Sequence, residues 1–323
     1  MADHADENFD GDIFIYRGGR APQHVTHARI DKSVNEIEEN AFENCRRLVQ
    51  VDTHDGIRKI GKEAFYRCES LRRISLESAV EIEDWAFFHC VNLADVEFGV
   101  RLETIGEYAF SSCSSLQLLK LPSIVTIGSA AFFQCFAVTD IELSERLETI
   151  GEGAFHFCNH LQRIAIPLKR DLFEYDDDED GYSQFYNCSQ LTTVDLVGGI
   201  HKTVASLHKE SWRVDMLAEI NRINQVLPNT RTKEKTEEIR EWMESVMDKM
   251  YHYKAAHCMY VNEGITFLEL ALWKAKLCEK EVRSVEGQKK KAKVDGESTR
   301  KERRVTCGAD VVIKNVLPFL QLE

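Results

Sequence analysis

The chain has 323 residues, a formal net charge of −13 and ten cysteines, and its length suits two domains. The first twelve residues are acidic and polar, so we expect no secretory signal. The most apolar stretch, residues 267–273, is too short to cross a bilayer. We therefore expect a soluble intracellular protein, cytoplasmic or nuclear, with free thiols in place of a disulfide framework.

The charge is divided unevenly along the chain. Residues 200–323 contain 23 Lys and Arg and 19 Asp and Glu, which leaves 18 and 35 for residues 1–199. The first part is therefore strongly acidic and the second part is mildly basic. This asymmetry predicts either two kinds of partner or a contact between the two parts.

The N-terminal residues predict a short polar tail and then a strand. Residues 1–10 are acidic, and we expect them to be disordered. Residues 12–16 are Asp followed by four apolar or aromatic residues, and Gly18 and Gly19 come soon after them and break the pattern. We expect this strand to close the N-terminal end of the structure that follows.

Residues 22–198 contain a repeat of 22 or 23 residues. Cysteines separated by 23, 22, 23, 22 and 23 positions mark it: Cys45, Cys68, Cys90, Cys113, Cys135 and Cys158. An Ala-Phe pair such as Ala109-Phe110 lies just before each cysteine, and an Ile-Gly pair such as Ile105-Gly106, or a degenerate copy, lies further upstream. A Leu-x-x-Ile-x-Leu unit, for example residues 71–76, opens after the cysteine. A period of this length predicts a solenoid.

These columns resemble the BspA type of leucine-rich repeat over roughly residues 22–198. The resemblance implies an α/β repeat fold, a curved solenoid of about seven or eight coils with parallel strands on its concave face. It also implies a role in adhesion or protein recognition. We expect the solenoid, with its N-terminal cap strand, to occupy residues 11–199. Within a coil, Gly should permit a turn, while Phe and Cys should fill the core.

Two features of the repeats are compatible with metal binding. The cysteines form no Cys-x-x-Cys pair and fall one per coil, so a packed internal ladder is favoured over a metal or redox array. In residues 174–181, Asp176, Asp178, Asp180 and Gly181 match the opening of an EF-hand loop. Asn187 stands where that loop needs a bidentate Glu. A solvated acidic loop is favoured, calcium binding stays open, and we expect no cofactor.

Outward residues of the predicted strands form two columns on the concave face. The first column is Arg29, Asp52, Ser75, Glu97, Lys120, Glu142, Ala165 and Asp195. The second column is His27, Gln50, Arg73, Asp95, Leu118, Asp140, Arg163 and Thr193. We select the charged central positions as partner-binding residues: Asp52, Arg73, Asp95, Glu97, Lys120, Asp140, Glu142 and Arg163. Their acidic surplus predicts a partner protein with a basic contact surface, and Glu97, Lys120 and Glu142 predict a salt ladder.

From residue 200 onward the pattern changes to helical spacing. We predict three helices within residues 200–284, the first ended by Pro228, the second starting at Thr232 or Thr236, and the third passing through Ile265 and Leu277. They should cap or pack on the solenoid, because a repeat array needs a cover at its open end. Residues 305–323 predict a short last helix.

Residues 285–304 form a basic segment that we expect to be a mobile linker. Its two clusters are Lys289, Lys290, Lys291 and Lys293, then Arg300, Lys301, Arg303 and Arg304. They resemble a bipartite nuclear localisation signal, while a solvated charged linker is the alternative. The segment has no aromatic residue for base stacking, so nucleic-acid binding is not expected.

Together these features favour a non-catalytic scaffold that recognises a protein on the concave face. A nuclear adaptor directed by the basic segment is one alternative. An enzyme with a site in the C-terminal helices is another, but the sequence has no phosphate loop, Gly-x-Ser-x-Gly motif, His-Glu-x-x-His motif or dinucleotide glycine run. We therefore expect no small-molecule substrate and no membrane partner.

Overall fold

The computed structural model describes residues 9–10, 12–174, 183–197, 207 and 209–289. The chain divides into two compact units, residues 1–250 and residues 251–323. The first unit holds a parallel-strand solenoid and the helical residues that follow it as far as residue 250. No helix in the described ranges is long and apolar enough to cross a membrane.

Two sets of strands run along the solenoid. The longer strands are Ile13–Tyr16, His27–Ile30, Gln50–Asp52, Arg73–Leu76, Asp95–Phe98, Leu118–Lys120, Asp140–Glu142, Arg163–Ile166 and Thr193–Leu196. The shorter strands are Glu36–Ile37, Lys59–Ile60, Glu81–Ile82, Thr104–Ile105, Thr126–Ile127 and Thr149–Ile150. Strand Phe9–Asp10 pairs antiparallel with Ile13–Tyr16, and the other ladders are parallel.

Six coils carry one longer and one shorter strand, and single longer strands extend the array at both ends. The shorter strands form one six-stranded sheet, in which each Ile aligns with the Ile of the next coil. The repeat therefore places equivalent residues directly beside each other. This arrangement confirms the predicted solenoid class.

The interior is built from the Phe and Cys columns. Phe42, Phe65, Phe87, Phe110, Phe132, Phe155 and Phe185 are fully buried and stack with ring centroids 4.9–5.8 Å apart. The buried cysteine of each coil donates its S–H to a backbone carbonyl of the preceding coil, for example Cys113 to Phe87 O at 3.2 Å. Burial raises the pKa of Cys135 to about 12. The cysteines are thus neutral packing groups in an internal ladder.

The backbone of the Ala-Phe-x-x-Cys turn differs from the sequence-based expectation. Gly61, Gly106, Gly128 and Gly151 have no left-handed φ, but a Cβ at any of them would lie 2.4–2.7 Å from an atom of the preceding coil. In most turns the left-handed positions are instead two residues that carry side chains, such as Asn40 (φ 57°) and Asn44 (φ 59°), while Gly153 (φ 59°) takes one of them in a later coil. Their N–H groups donate to the next coil, as in Asn44 N to Tyr66 O at 2.8 Å. This hydrogen bond between coils offsets the strain of the left-handed backbone.

Two α-helices follow the solenoid within the described residues, where the spacing predicted three. Helix α1 spans Glu210–Val226, and the 3₁₀ helices Leu227–Asn229 and Thr232–Glu234 lead to helix α2, Lys235–Lys289. The expected break before the third helix is absent because α2 contains no proline, and Gly264 in its middle is tolerated at a cost of about 1 kcal/mol. The predicted last helix lies outside the described residues.

The C-terminal end of the solenoid is covered by these helices within the first unit. Val194 N donates to Asn224 Oδ1 of α1 at 2.7 Å, and Phe185 N donates to Thr236 Oγ1 of α2 at 3.0 Å. Lys235, which is buried, donates to the carbonyl oxygen of Ser189 at 3.3 Å. The last coil therefore gains partners for backbone groups that the end of a repeat array would leave unpaired.

Candidate protein-binding surface

The solvent side of the longer strands is called the concave face below, after the leucine-rich-repeat convention. Side chains alternate along each strand, so that Ile74 and Leu76 are buried while Arg73 is exposed. This alternation places the two predicted columns on the outer side. Ala165 is the exception, because it is only 3% exposed.

Most charges on this face are already paired with each other. Arg73 contacts Asp95 at 3.6 Å and Glu97 at 2.8 Å. Arg163 contacts Asp140 at 3.1 Å and Asp195 at 2.7 Å. A third pair, Arg29 and Asp52, lies 3.7 Å apart. These pairs are solvated, so each contributes about 0–1 kcal/mol to stability, and together the three arginines contact five of the six carboxylates in the two columns.

The concave strands form two separate sheets, and the centre of the face lies at the break between them. One sheet ends at strand Asp95–Phe98, and the next begins at strand Leu118–Lys120. The break coincides with Phe98, whose ring stands edge-on to Phe110 at 5.6 Å where most other coils carry Leu or Ile. A bulkier residue at this position is a physical reason for the lost strand pairing.

Three side chains beside the break have no ion-pair partner among the described residues. Leu118 is 47% exposed, and Lys120 and Glu142 stand side by side on neighbouring strands, both exposed. The predicted salt ladder is therefore wrong at both steps, because Glu97 pairs with Arg73 on its own sheet and Lys120 forms no ion pair with Glu142. An apolar side chain beside an open cation and an open anion can contribute apolar and charged contacts at once.

A depression adjoins this group. Its volume is about 390 Å³, and its lining includes Lys120, Pro122, Glu142, Ser144 and Arg146. Arg146 is held at its edge by Glu103, at 3.0 Å. The depression extends the surface around Leu118 and gives a protruding side chain of a partner a place to enter.

The opposite side of the coils, called the convex side, carries a second apolar feature. Tyr66 stacks on Phe88 at 5.1 Å, Trp85 stacks on Tyr108 at 4.3 Å, and Trp85 also contacts Phe88 at 4.9 Å. All four rings are half-buried, mainly by one another. Because they cover each other, they offer less free apolar surface per residue than Leu118.

The other predicted sites receive no structural description. The acidic loop lies mostly in residues 175–182, and the basic cluster beyond Lys289 lies in residues 290–323, both outside the described residues. Lys289 is the last residue of α2. Within the described part of the chain, no group of three or more His, Cys, Asp or Glu residues is placed to hold a metal ion.

Leu118 was not selected from the sequence as a partner-binding residue, although its column was placed correctly. The sequence does contain a signal for this residue, because Leu118 is the one apolar member of a column that is otherwise His, Gln, Arg, Asp or Thr. An apolar residue at an outward strand position is the kind of exposed group that marks a binding surface when polar residues surround it.

The coil geometry, the Phe and Cys ladders and the paired sheets define a leucine-rich-repeat solenoid. The family profile described as "BspA type Leucine rich repeat region" matches six copies, over residues 22–125, 80–203 and 123–226. The chain belongs to the BspA-type leucine-rich-repeat family. Leucine-rich-repeat proteins are generally protein-interaction scaffolds.

Solved structures similar to this chain include bacterial leucine-rich-repeat proteins. The T. pallidum leucine-rich-repeat protein shares 30% identity over 55% of this chain and 82% of its own, with a TM-score of 0.45. A Bacteroides ovatus leucine-rich-repeat protein shares 26% identity over 54% of this chain and 56% of its own, with a TM-score of 0.39. No curated protein matches the sequence.

Proposed function

We propose that the protein is a non-catalytic scaffold that binds a partner protein on the concave face, centred on Leu118. The observation that carries this proposal is the exposed Leu118 beside Lys120 and Glu142, which lie next to each other on neighbouring strands. An apolar anchor within a polar surround is the usual anatomy of a binding hot spot. The family favours a scaffold over an enzyme.

The charge distribution supports a basic contact surface on the partner. The two columns hold six carboxylates and four cationic groups, and five of the carboxylates already contact an arginine. Glu142 is the carboxylate left open, so a Lys or Arg of the partner is expected to approach there. Lys120 beside it selects against a partner that is basic throughout.

The test compares two substitutions of exposed apolar residues in the full-length chain. Leu118→Arg places a charge at the proposed centre, and Val100→Arg places the same charge on a loop residue that is 76% exposed. The tagged wild type and both variants are used to capture proteins from native lysate, and the captured proteins are quantified by mass spectrometry. We expect Leu118→Arg to lose the proteins that wild type and Val100→Arg retain.

Identical capture by all three chains would contradict the concave face as the binding surface. Circular dichroism melts of both variants serve as the folding control, because each substitution lies on the surface and is expected to change stability by no more than about 0.5 kcal/mol. A loss of capture with an unchanged melt would assign the effect to the surface itself.

The nuclear adaptor is the second candidate function, and it is favoured only by the basic residues 289–304. The test is imaging of a fluorescently tagged chain with and without those residues. Accumulation in the nucleus that depends on them would support the adaptor, and identical distributions would remove it. A catalytic site in the helices has no supporting geometry in the described part of the chain.

A further inference from the structure

Helix α2 exposes a large apolar surface within the second unit. Eight large apolar side chains between residues 259 and 273 are more than a third exposed: Met259, Tyr260, Val261, Ile265, Phe267, Leu270, Leu272 and Trp273. Phe267 and Trp273 are 63% and 65% exposed. A helix this apolar is normally buried, and monomers rarely expose apolar patches beyond a few hundred Å². The segment therefore needs a partner.

Five exposed residues of this segment lie in one line along the helix. They are Tyr260, Glu263, Phe267, Leu270 and Lys274, separated by three, four, three and four positions. This spacing is the seam of a coiled coil, in which Tyr260, Phe267 and Lys274 take position a while Glu263 and Leu270 take position d. These five residues are called the α2 seam below.

We propose that the α2 seam binds the α2 seam of a second copy as an antiparallel two-stranded coiled coil. In an antiparallel pair, each a residue lies in a layer with a d residue of the other helix. One register pairs four of the five seam residues: Phe267 opposes Leu270 of the second copy, and Glu263 opposes Lys274 of the second copy, while Tyr260 lies at the outer end of the contact. The central layers are then apolar, and each flanking layer holds one carboxylate and one ammonium group.

The charges of Glu263 and Lys274 favour a second copy of this chain as the partner, and they favour an antiparallel orientation of the two helices. A parallel pair would place Glu263 against Glu263 and Lys274 against Lys274, which repel. The antiparallel pair converts both into attractive contacts, because two-fold symmetry repeats each contact. A polar residue in a seam lowers stability but fixes register. The seam is thus complementary to itself in one orientation.

The size of the seam sets the strength of the interaction. Residues 260–274 cover roughly 21 Å of helix at 1.5 Å per residue. Trp273 and Met259 lie beside the seam and enlarge the contact. Two heptads with two polar layers make a modest interface, so we expect a dissociation constant on the order of micromolar. Dimerisation would bring two solenoids into one assembly and raise the avidity for a repeated partner.

The test measures self-association of the full-length chain by sedimentation velocity over a concentration series. Two leucines provide a matched pair, since Leu270 and Leu272 are each 55% exposed but only Leu270 lies in the seam. We expect Leu270→Lys to raise the dimer dissociation constant by about thirtyfold or more, as loss of a central anchor does, and Leu272→Lys to leave it nearly unchanged. A wild-type chain that is monomeric throughout, or equal losses from both leucines, would overturn the proposal.

The register is tested by exchanging the seam charges. Glu263→Lys and Lys274→Glu should each weaken the dimer, because each creates like-charge layers, and the double variant should recover it. Failure of the double variant to recover, while both single variants are weak and all chains keep wild-type helicity, would overturn the antiparallel register. Capture of lipid vesicles or of another protein by a strictly monomeric chain would assign the surface to that occupant instead.

Discussion

The Phe column of the solenoid and the α2 seam are both apolar lines at regular spacing, yet one is buried and the other is exposed. Phe110 is fully buried, whereas Phe267 is 63% exposed. A period of 22 or 23 residues brings each Phe against the Phe of the next coil, so the chain covers its own apolar line. A spacing of three and four residues only aligns side chains along one helix. A repeat of 22 or 23 residues therefore covers its own apolar line, whereas an apolar line on a single helix needs another surface to cover it.

The largest expected difference between the two regions is in thiol reactivity. Cys113 is fully buried, and burial raises its pKa, while Cys258 of α2 is exposed. Labelling of Cys113 must wait for opening of a central coil, so we expect it to be about a thousandfold slower or more than labelling of Cys258. Timed alkylation followed by peptide mass spectrometry measures both rates. Equal rates would mean that the repeat interior is open.

The second prediction compares two truncations of the same residue type. Phe110→Ala removes a ring from the stack and leaves a cavity, so it should lower the free energy of unfolding by about 3–5 kcal/mol. Phe267→Ala removes an exposed ring and should change the free energy of unfolding by no more than about 0.5 kcal/mol in the monomer. Denaturant melts at low protein concentration compare them, and wild-type stability of Phe110→Ala would refute the repeat register.

The third prediction concerns a buried histidine in the outer turn of one coil. His156 lies between Phe133, 5.3 Å away, and Tyr186, 4.7 Å away, and burial lowers its pKa to about 4. The unfolded chain binds the proton near pH 6.5, so stability is complete above that pH and falls toward pH 4, by about 3 kcal/mol.

The matched variant is His156→Phe, because Phe133 holds the same position in the preceding coil. Denaturant melts from pH 7 to pH 4 should show a shallower loss of stability for the variant than for wild type. Parallel pH profiles would show that His156 does not titrate with folding.

A smaller effect is expected from charge reversal on the concave face. Glu97→Lys with Glu142→Lys should slow association with a captured partner by about tenfold, because such charges act mainly on encounter. The slowing should weaken as salt screens it. Glu107→Lys with Glu152→Lys on the convex side is the control, and stopped-flow association rates measure both. Equal slowing from the two faces would point to net charge alone.

The fold of the solenoid could be predicted from the sequence because the same residue pattern occurs in each coil. Phe110 and Cys113 were placed in the core by columns that recur in every coil, and the structure confirms them. The sequence did not reveal why glycine is needed at Gly106. Glycine is needed there because the neighbouring coil approaches closely, and this approach depends on the stacking distance between coils rather than on local turn geometry. The left-handed turn residues were missed because Asn, Trp and Tyr share no common pattern there.

The surface was predicted less completely than the core. The pairing of Glu97 with Arg73 and not Lys120 follows from the sheet break beside Phe98, which the repeat pattern does not contain. The burial of Ala165 likewise depends on what surrounds the last coils. In the helices, the predicted second and third helices are one continuous helix, because no residue within α2 ends it. Such features depend on single residues that differ from the repeat pattern, and the pattern itself therefore does not predict them.

The most direct measurement of the concave-face proposal is hydroxyl-radical footprinting of the protein with and without a captured partner. This method reports the solvent exposure of single side chains. We expect modification of Leu118 to fall on binding while modification of Val100 and Trp85 stays constant. Unchanged modification of Leu118, with protection at Trp85 and Tyr108 on the convex side, would contradict it.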